Sequence, residues 1–288
     1  MAVLKGIGLS NAISVRGLTK SYASFAAVKG IDFDVAVGEC FGILGPNGAG
    51  KTTTVEILEG FRARTTGEVS VLDIDPAKGN AAWRARLGIV LQTSKPTEEL
   101  TVGETVRHFA TFFDHALDPN EVISLVGLSD KIDVRAGKLS GGQQRRLDVA
   151  LGIIGKPDLL FLDEPTTGFD PEARRQFWSL IHDLKQSGTT IVLTTHYLDE
   201  AEALADRVAV IANGELRAIG DPKTLGGRAS AASTVRWEEE GKTMSIESRT
   251  PTQTVAELSV RFGGEVPGLA VARPSLEDVY LELIAGER

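Results

Sequence analysis

The stretch FGILGPNGAGKTTTVEILEGF, residues 41–61, passes from an unbroken apolar run through a glycine-rich turn into a helical pattern. The turn satisfies G-x-x-x-x-G-K-[ST] with Gly45, Gly50, Lys51 and Thr52. Glycines let successive backbone N–H groups converge on anionic oxygens, and the start of the following helix adds its positive dipole end. Gly45, Pro46, Asn47, Gly48, Ala49, Gly50, Lys51, Thr52 and Thr53 are therefore read as a phosphate cradle. Lys51 would supply a point charge to the outer phosphates, and Thr52 a hydroxyl to Mg²⁺.

A phosphate cradle needs a carboxylate for its metal. LLFLDEP at 159–165 offers one at the end of a buried strand. Asp163 is expected to hold Mg²⁺, directly or through water, and the adjacent Glu164 to serve as general base for an attacking water. Further apolar runs, GIVLQ at 88–92, TIVLTTH at 190–196 and RVAVI at 207–211, read as strands buried on both faces. The helical pattern of PEARRQFWSLIHDLKQSG puts Phe177, Ile181 and Leu184 on one stripe, with Pro171 suited to a first turn. Alternating strands and helices predict an α/β fold with a parallel core sheet.

Other segments depart from that rhythm. IDFDVAV at 31–37 alternates strictly, and Asn213-Gly214 stands between two β-like runs, so antiparallel strands are expected beside the core. Residues 93–155 are predicted to form an inserted helical subdomain. GDPKTLGGRASAAS reads as a linker. Beyond it, a small α+β appendage over 226–288 would contain two strands turning near Gly241 and a helix capped by Ser275 and Asp278.

The chain has 288 residues, 42% hydrophobic and 24% charged, enough for a sizeable core. Its 31 basic and 39 acidic residues give a formal charge of −8, which disfavours nucleic acid as a partner. Cys40 stands alone and excludes an internal disulfide. The opening MAVLKGIGLSNAISV makes a poor signal peptide, and no apolar stretch approaches the roughly 20 residues of a membrane span. Membrane association would then have to come through another chain.

LSGGQQRRL at 139–147 presents a second glycine pair at a helix start, capped by Ser140. Together with GPNGAGKTT and LLFLDEP, it resembles the ATP-binding subunits of the ABC superfamily, over residues 12–222. The resemblance implies a P-loop NTPase fold of ABC type, ATP and Mg²⁺ as ligands, and ATP hydrolysis. It also implies a homodimer in which Ser140, Gly141, Gly142 and Gln143 close on the partner's nucleotide. Tyr22 matches the aromatic that stacks on adenine, and Gln92 the glutamine that touches Mg²⁺ or water. Asp170 matches the residue that communicates across the dimer. His196 matches the switch histidine at the γ-phosphate. The remaining histidines, 108, 115 and 182, are expected to be surface or core residues.

One ATPase domain with a tail ending SLEDVYLELIAGER is similar to the daunorubicin-type drug-resistance exporters. That similarity implies a separately encoded transmembrane permease, multidrug or other hydrophobic cargo, and a peripheral place on the cytoplasmic side of a bacterial plasma membrane. The alternative reading is a regulatory or ribosome-associated ATPase clamp.

Overall fold

The computed structural model describes residues 11–91 and 99–285. The chain opens with β1 (Asn11–Tyr22) and β2 (Phe25–Ala36), an antiparallel pair with Val15 opposite Phe33. β3 (Cys40–Leu44), buried at every residue, leads through the glycine-rich loop into α1 (Lys51–Leu58). β4 (Thr66–Val71) then returns to the free edge of β1, placing Val69 opposite Val15. The three-stranded sheet β2-β1-β4 is the antiparallel element that the alternation at 31–37 foreshadows.

The short α2 (Ala81–Arg84) precedes β5 (Leu87–Val90). The described residues between β5 and the next strand include three α-helices, α3 (Val102–Ala110), α4 (Pro119–Leu125) and α5 (Gly141–Ile153), and two short 3-10 turns. α3 begins in a capping box, where Thr101 and Glu104 satisfy each other's backbone N–H groups. β6 (Leu159–Asp163), α6 (Pro171–Gln186), β7 (Thr190–Thr195), α7 (Leu198–Leu204), β8 (Arg207–Ala212) and β9 (Glu215–Gly220) complete the main body. The strands order as β5-β6-β7-β3-β8-β9. All neighbours are parallel except β8 and β9, which turn at Asn213 and Gly214 with both residues at positive φ, 52° and 80°.

The six-stranded sheet is apolar on both faces because it is covered on both. Leu159 and Phe161 of β6 share a core with Phe41, Ile43, Val15 and Ile57, toward the antiparallel sheet and α1. Leu160 and Leu162 point the other way, into a core with Val106, Val122, Leu147 and Phe177 from the helices. Phe33 stacks on Phe41, centroids 5.5 Å apart and 9° from parallel, which joins the two sheets. Each such fully buried side chain contributes about 1.5–3 kcal/mol relative to exposure. Cys40 belongs to this packing; burial pushes its thiol up to about 12.

The tail forms β10 (Ser233–Glu239), β11 (Lys242–Ser248), α8 (Pro251–Phe262), β12 (Ala270–Ala272) and α9 (Leu276–Ala285). Val235 and Trp237 of β10 share a small core with Leu258 of α8. α9 leaves that core. Its Leu276 and Val279 pack instead with Leu225, Ala201 of α7, and Val208 and Val210 of β8. The stretch expected to be a linker is accordingly anchored, with Leu225 buried and Arg228 paired to Glu202.

Candidate nucleotide site

β3 delivers the chain into the glycine-rich loop, and two glycines there have no substitute. A Cβ on Gly45 would stand 2.1 Å from the carbonyl oxygen of Ile211, and Gly50 takes φ 103° with Ala27's carbonyl oxygen 2.4 Å from its would-be Cβ. The loop is braced from behind by the β8–β9 turn. Gly214 N–H donates to Ala49 O at 3.1 Å, and Lys29 N–H donates to Gly214 O at 2.8 Å. Lys51 is buried, and its ammonium donates to the carbonyls of Gly45 at 2.8 Å and Pro46 at 3.2 Å. Burial lowers its proton affinity, and Glu164 and Asp163 pull it back up.

The loop faces a cleft of about 710 Å³ lined by Tyr22, Phe25, Ala27, the run from Asn47 to Thr53, Glu164 and His196. Thus the structure brings most of the sequence-predicted residues to one place. Thr52 is exposed there and Thr53 partly so. Tyr22 is 38% exposed, with the Lys20 ammonium 4.9 Å and the Arg62 guanidinium carbon 5.4 Å from its ring centroid. The ring thus reaches the cleft with two cations packed against it.

Asp163 ends β6, and its carboxylate accepts a hydrogen bond from the Thr194 hydroxyl of β7. Glu164 lies just past the strand end at φ 43°, a left-handed conformation costly for a side chain of this kind. Thr194 holds it there, receiving the Glu164 N–H at 3.1 Å on both its carbonyl and its hydroxyl oxygen. The turn aims the Glu164 carboxylate at His196, with Oε2 3.4 Å from Nδ1. Among the described residues no cluster of three or more His, Cys, Asp or Glu could hold a metal unaided. A hydroxyl at Thr52 and a carboxylate at Asp163 suit a hard cation that takes its remaining ligands from phosphate and water.

The second glycine pair lies elsewhere. Ser140 caps α5 in a reciprocal box with Gln143: Gln143 N–H donates to Ser140 Oγ at 3.3 Å and Ser140 N–H to Gln143 Oε1 at 3.0 Å. Ser140, Gly142 and Gln143 line a separate cleft of about 210 Å³ together with Asp170, and Gly141 is exposed beside them. Asp170 there caps α6, accepting from the N–H groups of Glu172 at 2.9 Å and Ala173 at 2.8 Å. Gln92 lies outside the described residues. His108, His115 and His182 are exposed and line neither cleft.

Some participants escaped the sequence reading. Phe25 is 60% exposed and lines the larger cleft beside Tyr22, at the start of β2, which the alternation at 31–37 did not reach. Thr194 and Arg145 act through register and reach, which no local motif announces.

Comparison with known proteins agrees with this geometry. The family described as ABC transporter matches residues 28–167, from β2 past β6. The Nod factor export ATP-binding protein I of Rhizobium sp. (strain N33) is 37% identical over 300 residues, covering 96% of this chain and 98% of the relative. The chain belongs to the ABC transporter family of ATP-binding subunits. The protein of the same name from Ralstonia nicotianae (strain ATCC BAA-1114 / GMI1000) is 38% identical, covering 98% of this chain and 96% of the relative. Among solved structures, an ATP-binding subunit of an ABC transporter superposes with TM-score 0.70 at 23% identity, covering 94% of this chain and 99% of its own. A dimeric post-hydrolysis state of the cassette MJ0796 bound to ADP and Pi gives 0.66 at 24%, covering 73% and 98%. These two show a shared fold. As a member of this ABC family the chain is an ATP-hydrolysing cassette, built as an ABC-type P-loop fold with parallel core, antiparallel sheet and inserted helices.

Proposed function

We propose that this chain is the ATPase subunit of an exporter, working as a homodimer with two shared ATP sites and driving separately encoded transmembrane permease subunits. One observation carries the reading: the phosphate loop and the capped start of α5 line different clefts with no residue in common. Two anion-binding helix starts on one protomer make sense if each nucleotide is enclosed by the loop of one copy and the α5 start of the other. The export role in the names of the curated relatives supports transport over a regulatory clamp.

In this reading Tyr22 stacks on the base, and the loop N–H groups with Lys51 bind the phosphates. Mg²⁺, when bound, neutralises phosphate charge and would be held by Thr52 and Asp163, with Gln92 as the further ligand expected from sequence. Glu164 takes a proton from the attacking water, and His196 orients Glu164 and the terminal phosphate. Ser140, Gly141, Gly142 and Gln143 close the partner's site, and Asp170 reports across the interface. The cassette spans 12–222 and the accessory tail 226–288, with a helical subdomain over 93–155 receiving the permease. No helix among the described residues is long and apolar enough to cross a membrane. The permease would therefore tether the subunit to the cytoplasmic face, and its cargo would be drug-like or other hydrophobic compounds.

ATP-loaded Glu164→Gln protein tests the shared pocket. Sedimentation should show a nucleotide-dependent dimer, and adding Ser140→Arg should abolish it. A monomer at saturating ATP would overturn the proposal.

A further inference from the structure

His196 is 41% exposed, lines the larger cleft, and meets Glu164 there. Its other neighbour is a ring. The Tyr197 ring lies 4.1 Å from the imidazole, centroid to centroid, tilted by 39°. Against the same tyrosine ring stands the guanidinium of Arg174, its central carbon 4.7 Å from the centroid. Arg174 is fixed in turn: Nη1 donates to Asp199 Oδ2 at 2.9 Å, and its backbone N–H donates to the carbonyl of Asp170 at 3.0 Å.

A continuous file thus runs from Asp170 in the second cleft, through the first turn of α6, to Arg174, Tyr197, His196 and Glu164. α6 meets the His196 segment a second time where Trp178 Nε1 donates to the fully buried Glu200 at 3.4 Å. Tyr197 N–H donates to Thr195 Oγ1 at 2.9 Å, so the backbone under the ring is also held. An imidazole this exposed would otherwise exchange rotamers freely. A neighbouring ring, itself seated on a cation, narrows that choice.

We infer that Tyr197 and Arg174 are positioning residues for His196, coupling the N-terminal turn of α6 at the second cleft to the imidazole facing Glu164. The inference rests on the proposed hydrolytic site. Neither residue lines the larger cleft. A displacement of the helix start on closure around a partner would reach His196 through this file.

The experiment measures steady-state ATPase kinetics and ATP affinity of the full chain carrying His196→Ala, Tyr197→Leu, Tyr197→Phe, Arg174→Met and Arg174→Lys. Tyr197→Leu should lower kcat roughly tenfold while ATP affinity holds within about twofold, as expected for a misplaced rather than missing group. Tyr197→Phe should recover most of that loss by restoring the ring, and Arg174→Lys part of the loss seen in Arg174→Met by restoring the cation. Tyr197→Leu added to His196→Ala should cost nothing further, because a positioning residue has nothing left to position. Wild-type turnover by His196→Ala would sink the site reading, and this inference with it. A slow His196→Ala beside a fast Tyr197→Leu, or additive losses in the double variant, would overturn the positioning role alone.

Discussion

The guanidinium of Arg145 donates through Nη2 to the backbone carbonyl of Asp163 at 2.6 Å. Its Nε reaches the carbonyl of Pro165 at 3.1 Å, and Nη1 that of Leu91. One buried side chain on α5, in the same helix as the Ser140 cap, therefore grips the ends of β5 and β6, where Asp163 and Glu164 emerge. Burial lowers the proton affinity of this arginine, with Asp148 and Asp163 acting against the shift. Arg145→Met leaves three carbonyls without their charged donor and should destabilise the fold by about 3 kcal/mol. Arg145→Lys should recover only part, since an ammonium cannot reproduce the planar fork. Chemical denaturation of both variants checks this; a midpoint unchanged in Arg145→Met would contradict it.

Lys51 is placed to exchange partners. Its ammonium donates to the carbonyls of Gly45 and Pro46, at the mouth of the loop where phosphate oxygens are expected to bind. Lys51→Ala should weaken ATP binding by roughly 10- to 100-fold, the equivalent of one hydrogen bond to a charged group. Titration of a fluorescent ATP analogue reads this directly, and an unchanged affinity would remove Lys51 from the cradle.

How much of this was legible in sequence follows from range. The phosphate loop, the Asn213-Gly214 turn and the Ser275–Asp278 cap are local, and each forms where its residues predict, the last with Ser275 N–H donating to Asp278 Oδ2 at 2.7 Å. The buried strands were legible because a sheet covered on both faces needs unbroken apolar runs. β1 was not: its 12 residues alternate weakly, its ladder carries register shifts, and its partner β4 comes more than 40 residues later. The destination of α9 was likewise hidden, because an apolar stripe of Leu276 and Val279 does not say whether the tail sheet or α7 will cover it. Tyr22, Asp163, Glu164 and His196 could be named one by one, but that Tyr22, Glu164 and His196 line one cleft depends on strand order, and Phe25 could be found only by seeing which side of β2 turns to the cleft.

Two glycines in the loop separate steric from conformational need. Gly45→Ala would force a methyl to 2.1 Å from Ile211 O, a backbone atom that cannot swing aside, whereas a methyl on Gly48 meets nothing within 4 Å and suffers only from φ 78°. The first substitution should cost about 2–3 kcal/mol through overpacking, the second about 1 kcal/mol through strain. Equal unfolding midpoints for the two variants would show that the loop relaxes away from β8.

Glu59 closes α1, only 8% exposed, at the helix end where a negative charge is least welcome. Burial, then Asp163 and Glu56, push its carboxyl from the ordinary 4.5 up to about 8. The folded chain therefore keeps this proton over a range in which the unfolded chain has released it. Unfolding between about pH 4.5 and 8 gives up a proton, so this group's contribution to stability is complete below 4.5 and is withdrawn as pH rises through 8. Glu59→Gln removes the titration while keeping shape and polarity. The difference in thermal midpoint between variant and parent should grow in the variant's favour from pH 5 toward pH 8, a direction opposite to that of a carboxylate held by a salt bridge. Parallel loss of stability in the two proteins across that interval would show that Glu59 is already ionised in the folded chain, and that water or a cation reaches the end of α1.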